Sequence, residues 1–459
     1  YAFINLLTGG DEVYLRIFDF FYQLLTIVLI VKLCAKCFES QFASFFAGAV
    51  YAVSYITLGF AQTLQGESFT CLWVVVLLDL MLSEKRNWWR LIAIGGIAGL
   101  FFSLKFTLAV VIAGVFIYEL LLPDRKKIIK KFLLIILGFV LIILITFIPI
   151  YNSLSFDGFS KIIKYLSFYS AMPPIDVAFI KMAYEKTGSF FADNYSLLFV
   201  ASVSIGSILG IKQQSSSRAS RLIRLSILFA ACLFISVTVE KKFGEYHFSR
   251  MLAPLSIIAG YGFLMIFQNV LRNFKVRTIP DKTIIVLLFL ASLVFSPLPR
   301  WVNLLQAPLA KIKGEEHYDR LFEKERAYDF MRLQHKQVAG IINKNNTSDE
   351  KVLVISTGAN AINFFLHTKI LSKFAQSQFY FGAYEMKPWK LEFYDEIRNA
   401  GWLVVQNNDR HLYINGHNLS SYESLLKDGF TSTYLKNNYY CFFKTKNYLI
   451  FRRIEIGTQ

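Results

Sequence analysis

Ten apolar runs of roughly membrane-spanning length follow one another through residues 1–299, and this succession limits the fold more than any other feature. They lie at about 14–33, 42–60, 68–83, 91–104, 106–122, 132–151, 194–211, 222–239, 250–270 and 282–299. A helix needs about 20 apolar residues to cross a bilayer core. No single soluble core absorbs so many. The chain is 55% hydrophobic and 18% charged, where soluble domains are roughly 45–50% apolar and 25% charged. A disordered chain, a coiled coil and an ordinary soluble enzyme are excluded. The sequence predicts a polytopic α-helical membrane protein with about ten spans.

Charge orients the spans. Placing the loop after the first run inside and alternating sides gives inner segments with 18 Lys and Arg in 54 residues. The outer segments hold 9 in 79. That asymmetry follows the positive-inside rule. Reading 91–104 and 106–122 as two short helices that meet at Lys105 keeps both basic loops, Lys85-Arg86 and Arg125-Lys126-Lys127, on the inner side. The formal net charge of +17 would suggest nucleic acid in a soluble chain. Here it belongs to cytoplasmic loops and lipid headgroups.

Residues 300–459 change character. They hold 16 of the 32 acids and 22 of the 49 basic residues, and alternation places them outside the cytoplasm. Lys351-Val352-Leu353-Val354-Ile355 and Trp402-Leu403-Val404-Val405 read as buried strands, and Lys390–Ala400 as a helix stopped at Gly401. Ser420 starts a second helix and Asp428-Gly429 ends it. Residues 439–453 read as a hairpin around Asn447. The expectation is a transmembrane domain over 1–299 and a soluble extracytoplasmic α/β domain over 300–459. The long outer loop 152–193 carries Tyr165-Leu166-Ser167-Phe168-Tyr169. It reads either as a helix lying on the membrane surface or as a plain loop.

A few charged residues stand out against this apolar background, where each ionisable group costs about 2.5–3.5 kcal/mol at the bilayer centre. Lys105, in Ser103-Leu104-Lys105-Phe106-Thr107, either faces an anionic lipid phosphate or snorkels to the interface. Glu67, in Gln65-Gly66-Glu67-Ser68, is either an active-site carboxylate or an acid favoured by a helix N-terminus. Residues 241–250, with Tyr246, His247 and Arg250, gather phosphate donors but would also serve as an interfacial anchor. Arg16 and Asp19, three apart, can satisfy each other, and Asp79 and Glu119 read as structural. Cys34 and Cys37 form a lone C-x-x-C, and five Cys make no disulfide framework. The five other His are scattered, so no metal site is expected from spacing. No P-loop, G-x-S-x-G or H-E-x-x-H occurs, which removes support for ATP-driven transport and the familiar hydrolases.

The order of these features resembles the GT-C superfamily of polytopic glycosyltransferases, in the branch of the protein O-mannosyltransferases and the lipid A aminoarabinose transferase. Four segments carry the resemblance. Thr8-Gly9-Gly10-Asp11-Glu12-Val13-Tyr14-Leu15-Arg16 is similar to the family's G-x-x-E-x-x-x-R lead-in to its second span. Gly95-Gly96-Ile97-Ala98-Gly99-Leu100 with Ser103–Thr107 resembles its glycine-rich segment ending in Lys-Pro-Thr. Tyr246-His247-Phe248 through Pro254 resembles its Tyr-His-Tyr lead-in to a late span, and the α/β domain matches in placement.

The resemblance implies a transferase moving a sugar from a polyprenyl-phosphate donor to a lipid, glycan or protein acceptor, on the extracytoplasmic side of the plasma (inner) membrane. Lys105, His247 and Arg250 would bind the lipid phosphate with help from Tyr246, and Glu67 would lie near the acceptor. The family's main acidic base precedes the G-x-x-E-x-x-x-R segment, so it is expected upstream of Tyr1, in a loop after a first span that would bring the total to about eleven. No cofactor is implied with certainty, and metal dependence varies within the superfamily. The competing readings are a transporter or flippase of lipid-linked saccharides without covalent chemistry, and a membrane scaffold whose outer domain binds a partner.

Overall fold

The computed structural model describes residues 12–59, 63, 65–83, 87–122, 128–171, 175–194, 197–212, 217–241, 243–273, 306, 309–322, 331–346, 350–356, 362–368, 371–372, 376–382, 387–410 and 415–454. The chain divides into two compact units, one of residues 1–159 and 175–304, the other of 160–174 and 305–459.

The first unit is helical and integral to a membrane. Its helices are α1 (Glu12–Phe38), α2 (Gln41–Thr57), α3 (Thr70–Leu82), α4 (Trp88–Leu104), α5 (Val110–Leu121), α6 (Ile128–Ala171, of which residues 160–171 count with the second unit), α7 (Val177–Asn194), α8 (Leu197–Lys212), α9 (Arg218–Glu240), the single turn α10 (Glu245–Phe248) and α11 (Leu252–Asn273). Polar residues set the boundaries. The Ser40 side chain accepts from the Ala43 amide to start α2, and Ser217 accepts from Ser220 to start α9. Lys105 ends α4 with an extended backbone and opens a 3-10 turn, Phe106–Ala109, into α5.

The expectation of ten spans is corrected. Among the described residues four helices are long and apolar enough to cross a membrane: Tyr14–Phe38, Ile128–Pro149, Arg218–Glu240 and Glu245–Gln268. The runs at 68–83, 91–104, 106–122 and 194–211 form apolar helices of 17 residues or fewer. α3, α4 and α5 are short because the backbone turns extended at Ser83, Lys105 and Leu122. The run 282–299, the basic loops 84–86 and 123–127, and Thr8–Asp11 lie outside the described residues. The predicted surface helix is not a separate element. α6 runs on through Pro149 to Ala171, 44 residues in all, or about 66 Å at 1.5 Å per residue.

Glycines let these helices touch. A Cβ at Gly95 would lie 1.9 Å from the Ile135 carbonyl oxygen, and one at Gly138 would lie 2.0 Å from that of Ile92. α4 and α6 thus cross backbone to backbone, as small residues allow in membranes. Gly206 and Gly262 do the same for α8 and α11.

The second unit is a small α/β structure. Parallel β1 (Val352–Ile355) and β2 (Trp402–Gln406) continue antiparallel into β4 (Tyr448–Arg453) and β3 (Tyr439–Lys444), in the order β1-β2-β4-β3. One sheet face packs Leu353, Ile355, Leu403 and Val405 with Phe393 and Ile397 of α15 (Lys387–Asn399). The other packs Val352, Val354, Trp402 and Val404 with Val338 and Ile342 of α13 (Arg332–Asn345). Before these come α12 (Glu315–Phe322), and between β1 and α15 the single turn α14 (Gln378–Phe381). Ser420 and Glu423 form a capping box at the start of α16 (Ser421–Lys427). Asp428 is both stop and start, since its side chain caps α17 (Gly429–Asn438). Tyr165 is buried in this unit against Phe379 and Trp389, away from the headgroup role an interfacial aromatic would take.

Candidate active site

Five ionisable side chains from separate elements of the first unit converge on one point. Glu67 comes from the turn before α3, where Ser68 N–H donates to the Gln65 carbonyl and Thr70 Oγ1 to that of Glu67. α1 grips the same loop: Tyr22 donates to the Phe69 carbonyl at 2.7 Å and Arg16 to Thr63 at 2.7 Å. Lys105 stands at the break between α4 and its 3-10 turn. Glu240 closes α9, His247 lies in α10, and Arg250 in the 3-10 turn Ser249–Met251 that leads into α11.

Two left-handed residues fold the chain back between them. Lys241 caps α9 at φ 59° and Phe243 sits at φ 45°, a region that costs non-glycine residues about 1–3 kcal/mol. The reversal faces Glu240 toward Arg250.

Lys105 Nζ lies 2.6 Å from Glu67 Oε1, 2.7 Å from Glu240 Oε2 and 3.3 Å from His247 Nδ1. Arg250 donates from Nη1 to Glu240 Oε1 at 2.7 Å and to Ser236 Oγ at 2.8 Å, and from Nη2 to Glu67 Oε1 at 3.4 Å. Thr107 Oγ1 donates to Glu240 Oε1 at 2.6 Å. His247 Nδ1 lies 3.2 Å from Glu67 and 3.0 Å from Glu240, so carboxylates and cations compete for that nitrogen. Arg250 is fully buried, whereas the Lys105 side chain is 29% exposed. Burial pushes the Glu67 carboxyl up, but the His247 hydrogen bond and the Lys105 charge outweigh it and hold the group at about 2.

Every residue singled out as a site candidate is here. Glu67, Lys105, His247 and Arg250 form one contact cluster, and the half-buried Tyr246 lies with its ring centroid 4.0 Å from that of His247, tilted by 43°. Glu240 is the residue that sequence reasoning missed. It is followed by Lys241-Lys242 and reads as the balanced end of a helix; its signal was an acid at the very edge of an apolar run. Asp19 and Asp79 have partners outside the cluster. Asp19 accepts from Gln23 and Tyr55 rather than serving only Arg16, and Asp79 pairs with Lys36 at 2.8 Å.

Folding also makes a possible metal-ligand set that spacing did not reveal, because its members come from three elements. Glu67, Glu240 and His247 offer ligand atoms within 4.8 Å of one another. Two carboxylates and an imidazole suit a divalent ion such as zinc, but Lys105 Nζ bridges the same two carboxylates. An ion seated there would displace it.

Residues 1–151 match the family model described as dolichyl-phosphate-mannose-protein mannosyltransferase. No curated protein matches the chain. Among solved structures, the crystal structure of ArnT from Cupriavidus metallidurans bound to undecaprenyl phosphate is similar. At 12% identity and a TM-score of 0.51, the match covers 99% of this chain and 87% of that one. The fold of this chain is shared with that ArnT structure.

Proposed function

We propose that this protein is a glycosyltransferase that moves a sugar from a polyprenyl-phosphate donor to an acceptor hydroxyl, with Lys105, His247, Arg250, Tyr246 and Glu67 forming its phosphate end. The observation that carries the reading is the convergence of buried cations and carboxylates around one partly exposed lysine, in a fold whose solved relative holds undecaprenyl phosphate. A buried ionic cluster in a membrane chain is costly and marks a working site.

In the transfer, the acceptor oxygen forms a bond to the sugar's anomeric carbon. The bond from that carbon to the phosphate oxygen breaks, polyprenyl phosphate leaves, and the acceptor proton passes to a base. Lys105, the exposed cation, meets the phosphate and stabilises the charge that grows on it. Arg250 stands behind, fixing the carboxylates that aim Lys105. Glu67 is paired tightly and weakly basic, so it serves as the anchor of Lys105 better than as the proton acceptor. A divalent ion held by Glu67, Glu240 and His247 would supply that charge stabilisation in place of Lys105. The active side is extracytoplasmic and the membrane the plasma (inner) membrane, in keeping with the basic inner loops. The sugar and the acceptor follow from contacts that this cluster does not make.

The test is transfer from a radiolabelled polyprenyl-phosphate sugar in proteoliposomes. Lys105→Ala is expected to lower kcat/KM by about a hundredfold, or 2.7 kcal/mol of transition-state charge stabilisation by order of magnitude, with little change in melting. A Lys105→Ala protein with wild-type transfer would remove the assignment. Transport of a lipid-linked saccharide with no covalent product would favour the flippase reading.

A further inference from the structure

Two cations of the cluster, Lys105 and Arg250, face two carboxylates, Glu67 and Glu240. We propose that Glu240 sets the affinity of this site for lipid phosphate, keeping it low enough for the spent polyprenyl phosphate to leave. The inference rests on the reading just given.

The reaction changes the charge of its own ligand. A polyprenyl-phosphate sugar is a phosphodiester with one negative charge. When the bond to the sugar breaks, the product is a phosphomonoester, whose second ionisation near pH 6 brings it to about −1.5 to −2 at neutral pH. A site with surplus positive charge therefore holds product more tightly than donor, and stalls. Glu240 removes that surplus. One carboxylate oxygen takes Arg250 and Thr107, the other takes Lys105, all within 2.6–2.7 Å. Its side chain is only 5% exposed against 29% for Lys105, so it stands behind the cation that meets the ligand. Glu240 is a positioning residue that acts through Lys105 and Arg250.

The experiment measures undecaprenyl phosphate binding to the full chain in detergent, with chelator present so that no metal contributes. Glu240→Gln is expected to bind the product about tenfold more tightly, the effect of one uncompensated charge near the ligand. Its kcat and its donor KM both fall, because release becomes limiting. The double variant Glu240→Gln/Arg250→Gln restores neutrality and returns product affinity to within about threefold of wild type. A folded Glu240→Gln protein, as judged by its melting without ligand, that binds product no more tightly than wild type overturns the proposal. Where Glu240→Gln does not fold, the double variant is compared with Arg250→Gln: product binding about tenfold tighter in the double variant supports the proposal, and equal binding overturns it. A wild-type chain that binds no lipid phosphate at all overturns the donor reading itself.

Discussion

His335 lies on α13 with its side chain fully buried, its Nε2 2.9 Å from the Tyr448 hydroxyl. Burial disfavours the imidazolium and lowers its pKa from 6.5 to about 4. A depressed histidine means that the unfolded chain takes up the proton first. The contribution of His335 is therefore whole above pH 6.5 and is lost as pH falls toward 4, by about 3 kcal/mol over that window. Hydrogen exchange of the β2 and β4 amides in the intact protein should show this loss, and His335→Gln should remove most of the pH dependence between those limits. No sequence signal set this histidine apart, since only the folded helix places it over Tyr448. Lys105 stood out for the opposite reason, since a charge between apolar runs has to be explained, and His247 and Arg250 stood out as donors gathered in residues 241–250. Glu240 was not, because its partners lie 133 and 10 residues away on either side of it and its chain neighbours offered a cheaper account.

At the scale of elements, strands and helices of the second unit follow from pattern and punctuation. Alternation around Asn447 gave the hairpin, and Gly401 and Asp428 mark the helix ends. The close crossing of α4 and α6 was present only as a glycine-rich segment. Gly138→Val would drive a side chain into the Ile92 carbonyl. It is expected to cost about 1–3 kcal/mol, seen as a lower melting temperature in detergent. The left-handed residues Lys241 and Phe243 matter in another way. They set which residues of α9 and α10 face each other, so a single alanine inserted after Phe243 should leave the helical circular dichroism unchanged and abolish transfer. Retained transfer would show that the connection tolerates slack.

For the whole molecule, the helical character of the apolar runs within the described residues was legible and their lengths as helices were not. Hydropathy counts apolar residues, while a helix ends where a backbone dihedral changes, as at Lys105. The change in composition at residue 300 lies close to where the second unit resumes at 305, but nothing in composition joins residues 160–174 to that unit. The cancellation of charge at the buried cluster has a consequence for how the donor arrives. Four ions that neutralise one another within about 3 Å cast almost no field beyond a Debye length of about 8–10 Å, so the +17 of the chain as a whole is not focused there. An anionic lipid is not steered to the site through water. It finds it by lateral diffusion in the leaflet, and encounter should respond to bilayer viscosity while remaining nearly indifferent to ionic strength.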